Sequence, residues 1–268
     1  MWTLMDLIEN FFTHKDFLPP ASQIPGTMFT PMQLGASAFN IAIIALCCLW
    51  MRKRQEKTVK TVYGVLWALC VVLEIAKILW ETYSGKMVRF EVTGVLPLYP
   101  CSIFMYAMPL AIWGKGWVRT AGCGYVCSLG LLGGMVNFVY PATVMNNYSC
   151  LSFAGWHTQF YHGVLVFCAL SMLLSGYHSY QGITKPIQLL IPAVPALAVS
   201  VIANVVNFSP LNTDYMFFKL SSFFFAPIGA ATPDWLSVIM VYGLYLLIHA
   251  LPYLPSYLTN RMHSKQKA

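Results

Sequence analysis

Charge is what this sequence has least of. Asp, Glu, Lys and Arg together make up 9% of its 268 residues, against about 25% in soluble domains. Hydrophobic residues reach 58% and mean hydropathy is +0.63, so a soluble globular fold is excluded and a polytopic, all-α membrane protein is expected. The opening stretch MWTLMDLIENFFTHKDF has acids where a signal peptide carries basic residues, and it lacks a small-residue cleavage site. It reads instead as a short amphipathic helix at the membrane surface, with Leu4, Leu7, Ile8 and Phe11 on one face. Neither a zinc-ligand spacing nor a disulfide framework is present among the eight cysteines, so no metal and no cofactor is expected. There is no internal repeat or low-complexity tract. No basic patch is interleaved with base-stacking aromatics, so no nucleic-acid partner is expected.

What is present is a series of apolar runs. Seven segments, near 33–51, 61–83, 94–114, 118–139, 157–180, 187–207 and 235–257, approach the roughly 20 residues that cross a bilayer. The implied organisation is an interfacial segment at 1–32, a seven-helix transmembrane domain at 33–258 and a basic tail at 259–268. The connection 208–234 is rich in aromatics and is expected to fold back into the outer interface. Arg52, Lys53, Arg54, Lys57, Lys60, Lys115, Arg119, Lys185, Arg261, Lys265 and Lys267 fall on one side, whereas most acids fall on the other. The positive-inside rule then predicts an outside N-terminus and a cytoplasmic C-terminus. The net charge of +7 suits attraction to anionic lipid, in a plasma membrane of bacterial type.

One stretch breaks the pattern. LPLYPC, residues 96–101, places two prolines early in the third run. With Pro100 at the first helical position, the helix would restart there and Cys101 would occupy its first turn, where the dipole favours a thiolate. At about 1.5 Å per residue, Cys101 lies ~10 Å and His162 ~8 Å below the outer ends of their spans, with Glu74 ~14 Å below its own. These polar groups, with Asn137, Asn204 and Asn207, point to one outward cavity. Glu74 and Lys77 share a helical face and are either a functional pair or a self-neutralising one. His157 reads as a boundary residue, and His178 and His249 as structural. Cys123 and Cys127 lie in GCGYVCSLGLLGG, a small-residue packing face.

The acid of the second span, LPL-x-x-C opening the third, and FYHGVLVF (160–167) together resemble the YwaF-type bacterial membrane proteins of the transmembrane protein 164 family. The resemblance is densest over residues 73–114. In animals that family includes a phospholipid acyltransferase with an intramembrane cysteine and histidine. The resemblance therefore implies Cys101 as nucleophile and His162 as base, with His157 the fallback. Two departures are visible: Tyr99 stands where relatives commonly have histidine, and Gln33 stands where they have one near the start of the first span.

The expectation is a cysteine–histidine lipid acyltransferase or hydrolase acting through a thioester. Membrane lipids would be its substrates, and Glu74, Lys77, Tyr99, His157 and Asn204 would orient or bind them. The alternatives are an ion- or proton-coupled transporter using Glu74–Lys77 and a lipid-binding protein without turnover. Oligomeric state is left open.

Overall fold

The computed structural model describes residues 4–87, 96–220 and 231–266, and within these every regular element is helical. The principal helices are α1 (Leu4–Glu9), α2 (Pro31–Met51), α3 (Glu56–Ser84), α4 (Phe104–Trp113), α5 (Trp117–Val139), α6 (Phe153–Leu174), α7 (Val194–Asn207), α8 (Asp234–Ala250) and α9 (Leu254–Gln266). Six stretches are long and apolar enough to cross a membrane: α2, α3, α5, α6, Pro186–Asn207 and Asp234–Met262. The protein is an integral membrane protein built from these helices.

The boundaries follow ordinary end chemistry. Thr30 caps α2 by accepting from the Gln33 N–H, and Pro31 takes the position where a missing donor costs least. Ser152 caps α6 by accepting from the Gly155 N–H. Pro186 and Pro192 delay α7, so its approach consists of 3-10 turns. Pro252 breaks the last apolar run into α8 and α9 across another such turn. α9 runs through residue 258, so the basic tail continues a helix.

α5 and α6 form the buried centre. Gly122 lets α5 approach α4 closely: a Cβ there would collide with the Ala111 nitrogen and the Ala107 carbonyl. This agrees with the small-residue reading of that segment. Halfway along, α5 carries a π-helical turn at Val126–Gly130, a local widening that shifts the phase of the helix. α2 and α3 turn large apolar side chains outward, including Phe39, Leu46 and Val72, as a lipid-facing surface requires.

Contacts sort the connections to two ends. Glu56, Arg119, Tyr177, His178 and Tyr253 meet at the basic end. At the other, the segment after α1 docks on the bundle. Phe11 O accepts from the Phe153 N–H at 2.8 Å, Phe12 O from the Trp80 indole at 2.8 Å, and the Tyr148 hydroxyl from the Lys15 N–H at 3.1 Å. The expectation for Phe11 is thereby corrected. α1 ends at Glu9, and Phe11 packs against Phe153 rather than extending an apolar stripe. In the connection after α7, Tyr215, Met216 and Phe218 are fully buried, so its described part does fold back into the protein. Residues 221–230 lie outside the described residues.

The third run departs most from expectation. Its helix is α4, ten residues or ~15 Å, about half of a ~30 Å hydrocarbon core. The start of the expected span, 94–95, lies outside the described residues.

Candidate functional site

LPLYPC does not restart a helix at Pro100. Residues 99–103 form successive turns, with Ser102 N and Ile103 N donating to Tyr99 O at 2.9 and 3.3 Å and Phe104 N donating to Cys101 O at 3.2 Å. The regular helix begins only at Phe104, after the cap at Ile103. Cys101 thus lies before the first helical turn, and the dipole argument for its activation no longer applies in its simple form. Tyrosine hydroxyls from other helices supplement these turns at the carbonyls of Pro100 and Cys101. Tyr125 of α5 donates its hydroxyl to Pro100 O, and Tyr161 of α6 donates its own to Cys101 O at 3.3 Å. Upstream, Leu96 N donates to the Tyr215 hydroxyl at 3.2 Å. Irregular backbone at this depth is tolerable because protein groups replace the missing helix partners.

α3 and α6 bring the titratable groups together. Lys77 Nζ lies 3.3 Å from Glu74 Oε1, and His157 Nε2 lies 3.2 Å from Glu74 Oε2. The His157 contact is off the axis of a straight hydrogen bond, so Nε2 has no aligned partner. Glu74 and His157 are both buried, at 8% and 4% exposure. His157, which the sequence places near the end of its span, is thus buried inside the bundle.

The two histidines face differently. His157 and Tyr161 are one turn apart on one face, with rings stacked at 6.0 Å. His162 is turned about 140° from His157 around the helix. Its Nδ1 is 2.8 Å from Thr158 O and 3.3 Å from Thr158 Oγ1, and Thr158 in turn reaches Asn137. His157 thus shares the face of the tyrosine that holds the Cys101 carbonyl, whereas His162 is tied to its own helix. No hydrogen bond joins the Cys101 thiol to either ring among the described residues.

The other expected site residues fall elsewhere. Tyr99 packs on Tyr215 and Phe217, at 5.0 and 5.8 Å between ring centroids. Asn204 donates to the Tyr242 hydroxyl at 3.0 Å across α7 and α8, and none of its hydrogen bonds reaches Glu74 or Cys101. Asn207 holds the Tyr215 turn through both amide atoms. His178 pairs with Tyr253, and His249 with the carbonyl of Tyr245. Among the described residues, no three His, Cys, Asp or Glu side chains gather as a metal site.

Two features escaped the sequence reading. The first is the pair of tyrosines, Tyr125 and Tyr161. The signal for Tyr161 was its i+4 spacing from His157, and that for Tyr125 was a lone large polar residue in a run of glycines and cysteines. The second is a buried amide chain between α2 and α6. Gln33 donates to Ser37 Oγ at 2.9 Å, Gln159 donates to the same oxygen at 3.2 Å, and Asn40 donates to Gln159 at 3.2 Å. Gln33 is fully buried.

The model of the TMEM164 family matches residues 28–259. The chain belongs to the TMEM164 family. The match covers the six candidate spans, the short α4, the LPLYPC break and the Glu74–His157 contact almost from end to end. Searches of curated proteins and of solved structures return no match.

Proposed function

We propose that this TMEM164-family protein transfers acyl chains between membrane lipids through a cysteine thioester. The observation that carries the reading is the buried Glu74–His157 contact at 3.2 Å, on the α6 face whose Tyr161 binds the Cys101 carbonyl. An acid beside an imidazole orients it and stabilises its protonated form, which is what a base serving a thiol needs. His157 takes the role of base in preference to His162, because Glu74 lies beside its ring whereas the ring of His162 is turned to Thr158.

In the proposed sequence, the Cys101 thiol gives its proton to His157 and the sulfur attacks the ester carbonyl of a phospholipid. The tetrahedral intermediate collapses by breaking the ester C–O bond, and the departing lysolipid oxygen takes the proton from His157. A second lipid hydroxyl then gives its proton to His157, attacks the thioester carbonyl and releases the thiolate, which is reprotonated. Water in that step gives hydrolysis instead. Lys77, 24% exposed beside Glu74, is placed to meet an anionic headgroup. The distribution of basic residues supports an orientation with the basic end in the cytoplasm.

The test is purified protein in nanodiscs given phospholipid labelled in its acyl chain. Wild type is expected to form labelled thioester and transferred product, and Cys101→Ala neither. Equal turnover in both refutes the nucleophile assignment.

A further inference from the structure

A second site lies at the basic end of the bundle, away from the Cys101 break. The connection 175–193, the start of α5 and Tyr253 line an open cleft of about 320 Å³, at the lower end of the roughly 300–1,000 Å³ typical of ligand pockets. Its wall is apolar on one side, where Ile183, Ile191 and the Tyr253 ring contribute. His178 lines it as well, and its Nε2 is engaged by the Tyr253 hydroxyl at 2.6 Å.

The remaining polar lining is rich in free donors. Gln188 accepts through Oε1 from Thr184 N at 2.8 Å, Lys185 N at 2.9 Å and Thr184 Oγ1 at 3.3 Å. With that oxygen saturated, its amide NH₂ is what remains to offer. Ser179 Oγ already accepts from Gln181 N at 3.2 Å, so its hydroxyl proton is free to donate. The Trp117 indole, a donor only, sits at the mouth and is 61% exposed.

The charges point the same way. No carboxylate lines the cavity. Glu56, an acid at this end, is already held by Lys60 at 3.1 Å and Arg119 at 3.0 Å. Lys185 lies between the lining residues Ile183 and Gln188 and is exposed. The Gln188 amide, the Ser179 hydroxyl and the Trp117 indole as donors, the nearby exposed Lys185 and the apolar Ile183 and Ile191 suit an anionic oxygen-rich group attached to a hydrocarbon. An exposed tryptophan at a helix end suits the level of lipid headgroups.

We infer that this cavity binds the glycerophosphate headgroup of an anionic phospholipid, separately from the acyl-transfer site. Its phosphate oxygens accept from Gln188, Ser179 and Trp117, its charge faces Lys185, and its glycerol lies along Ile183 and Ile191. The site holds the lipid without reacting with it.

The experiment is thermal unfolding of the full chain in detergent, titrated with short-chain phosphatidylglycerol, with glycerol 3-phosphate and with a diacylglycerol of the same chain length. Wild type is expected to show a saturable rise in Tm with phosphatidylglycerol and none with the diacylglycerol. Ser179→Trp, which fills the mouth from an exposed position, and Lys185→Glu, on the rim, are each expected to weaken the response about tenfold or more, the scale of one lost charge-assisted hydrogen bond. Should Ser179→Trp fail to fold, Lys185→Glu carries the test alone. A response to glycerol 3-phosphate with the same midpoint keeps the phosphate site and makes its source a soluble phosphate. An equal response to the diacylglycerol, or variants indistinguishable from wild type, overturns the proposal.

Discussion

Tyr125→Phe tests the claim that tyrosine hydroxyls, rather than a helix restart, sustain the broken backbone at Pro100. The substitution keeps a ring that is fully buried and packed 5.5 Å from the His249 ring, so it removes one hydroxyl and almost no packing. The Pro100 carbonyl that hydroxyl serves is left unpaired in a water-poor interior. An unsatisfied buried acceptor costs about 1–3 kcal/mol, and about 1 kcal/mol lowers Tm by roughly 2–4 °C in a chain of this size. A fall of roughly 2–12 °C follows from those two figures. Heating in detergent with a thiol-reactive fluorophore reads it, because Cys48, Cys70, Cys123 and Cys168 are buried until the bundle opens. Alkylation of Cys101, followed by mass spectrometry below Tm, should rise up to about tenfold for each 1.4 kcal/mol lost. Tyr161→Phe, losing a longer bond of 3.3 Å, is the milder control at about 0.5–1.5 kcal/mol. Unchanged Tm and unchanged Cys101 labelling in Tyr125→Phe would refute the reasoning.

His157→Gln should slow acyl transfer by about 100-fold or more, the scale of a lost general base, with His162→Gln costing less than about tenfold. Single-turnover assays in nanodiscs decide, and the reverse order would return the role to His162. Glu74→Gln should destabilise by about 1–3 kcal/mol, below the 3–5 kcal/mol of a fully buried broken pair, because Lys77 retains access to solvent or headgroups. Adding Lys77→Met should restore Tm but not turnover. A pH-driven flux in liposomes that survives Cys101→Ala yet is lost in Glu74→Gln would instead favour the transporter reading. Gly122→Leu should abolish recovery of folded protein in size-exclusion chromatography, because a side chain there meets backbone atoms of α4. Finally, the Lys86 N–H, 3.1 Å from Asp16 Oδ2, holds the Asp16 carboxyl below its ordinary 3.8. A depressed acid contributes stability above its ordinary value and loses it as pH falls through the lowered one. Protease nicking between residues 10 and 30 should therefore rise in acid below about pH 4, and Asp16→Asn should show that sensitivity already at neutral pH.

The membrane class and most spans were legible because hydropathy over about 20 residues is a strong, local signal. The break at LPLYPC was equally legible, since two prolines in an apolar run have few other meanings. Its geometry was not. Whether Pro100 begins a helix depends on which groups accept its neighbours' hydrogen bonds, and those belong to α5 and α6, far along the chain. The direction in which each histidine faces was not legible for a related reason. Depth estimated from a span's end matches His162 to Cys101 when the fifth span begins at His157. α6 begins at Phe153, and those four residues carry His157 into the interior beside Glu74.

Facing direction, rather than depth, separates the two histidines. Along α6, positions 157 and 161 look toward α3 and the broken segment, while 158 and 162 look toward Asn137 of α5. The ring of His162 bonds its own helix one turn back, at Thr158, and none of its hydrogen bonds reaches Glu74. The ring of His157 lies 3.2 Å from the Glu74 carboxylate. In the proposed mechanism the base becomes imidazolium in the transition state, and the Glu74 carboxylate beside His157 favours that residue for the role. The Glu74 contact and the helical period alone distinguish the two rings, so His157→Gln against His162→Gln is the comparison that can overturn the assignment.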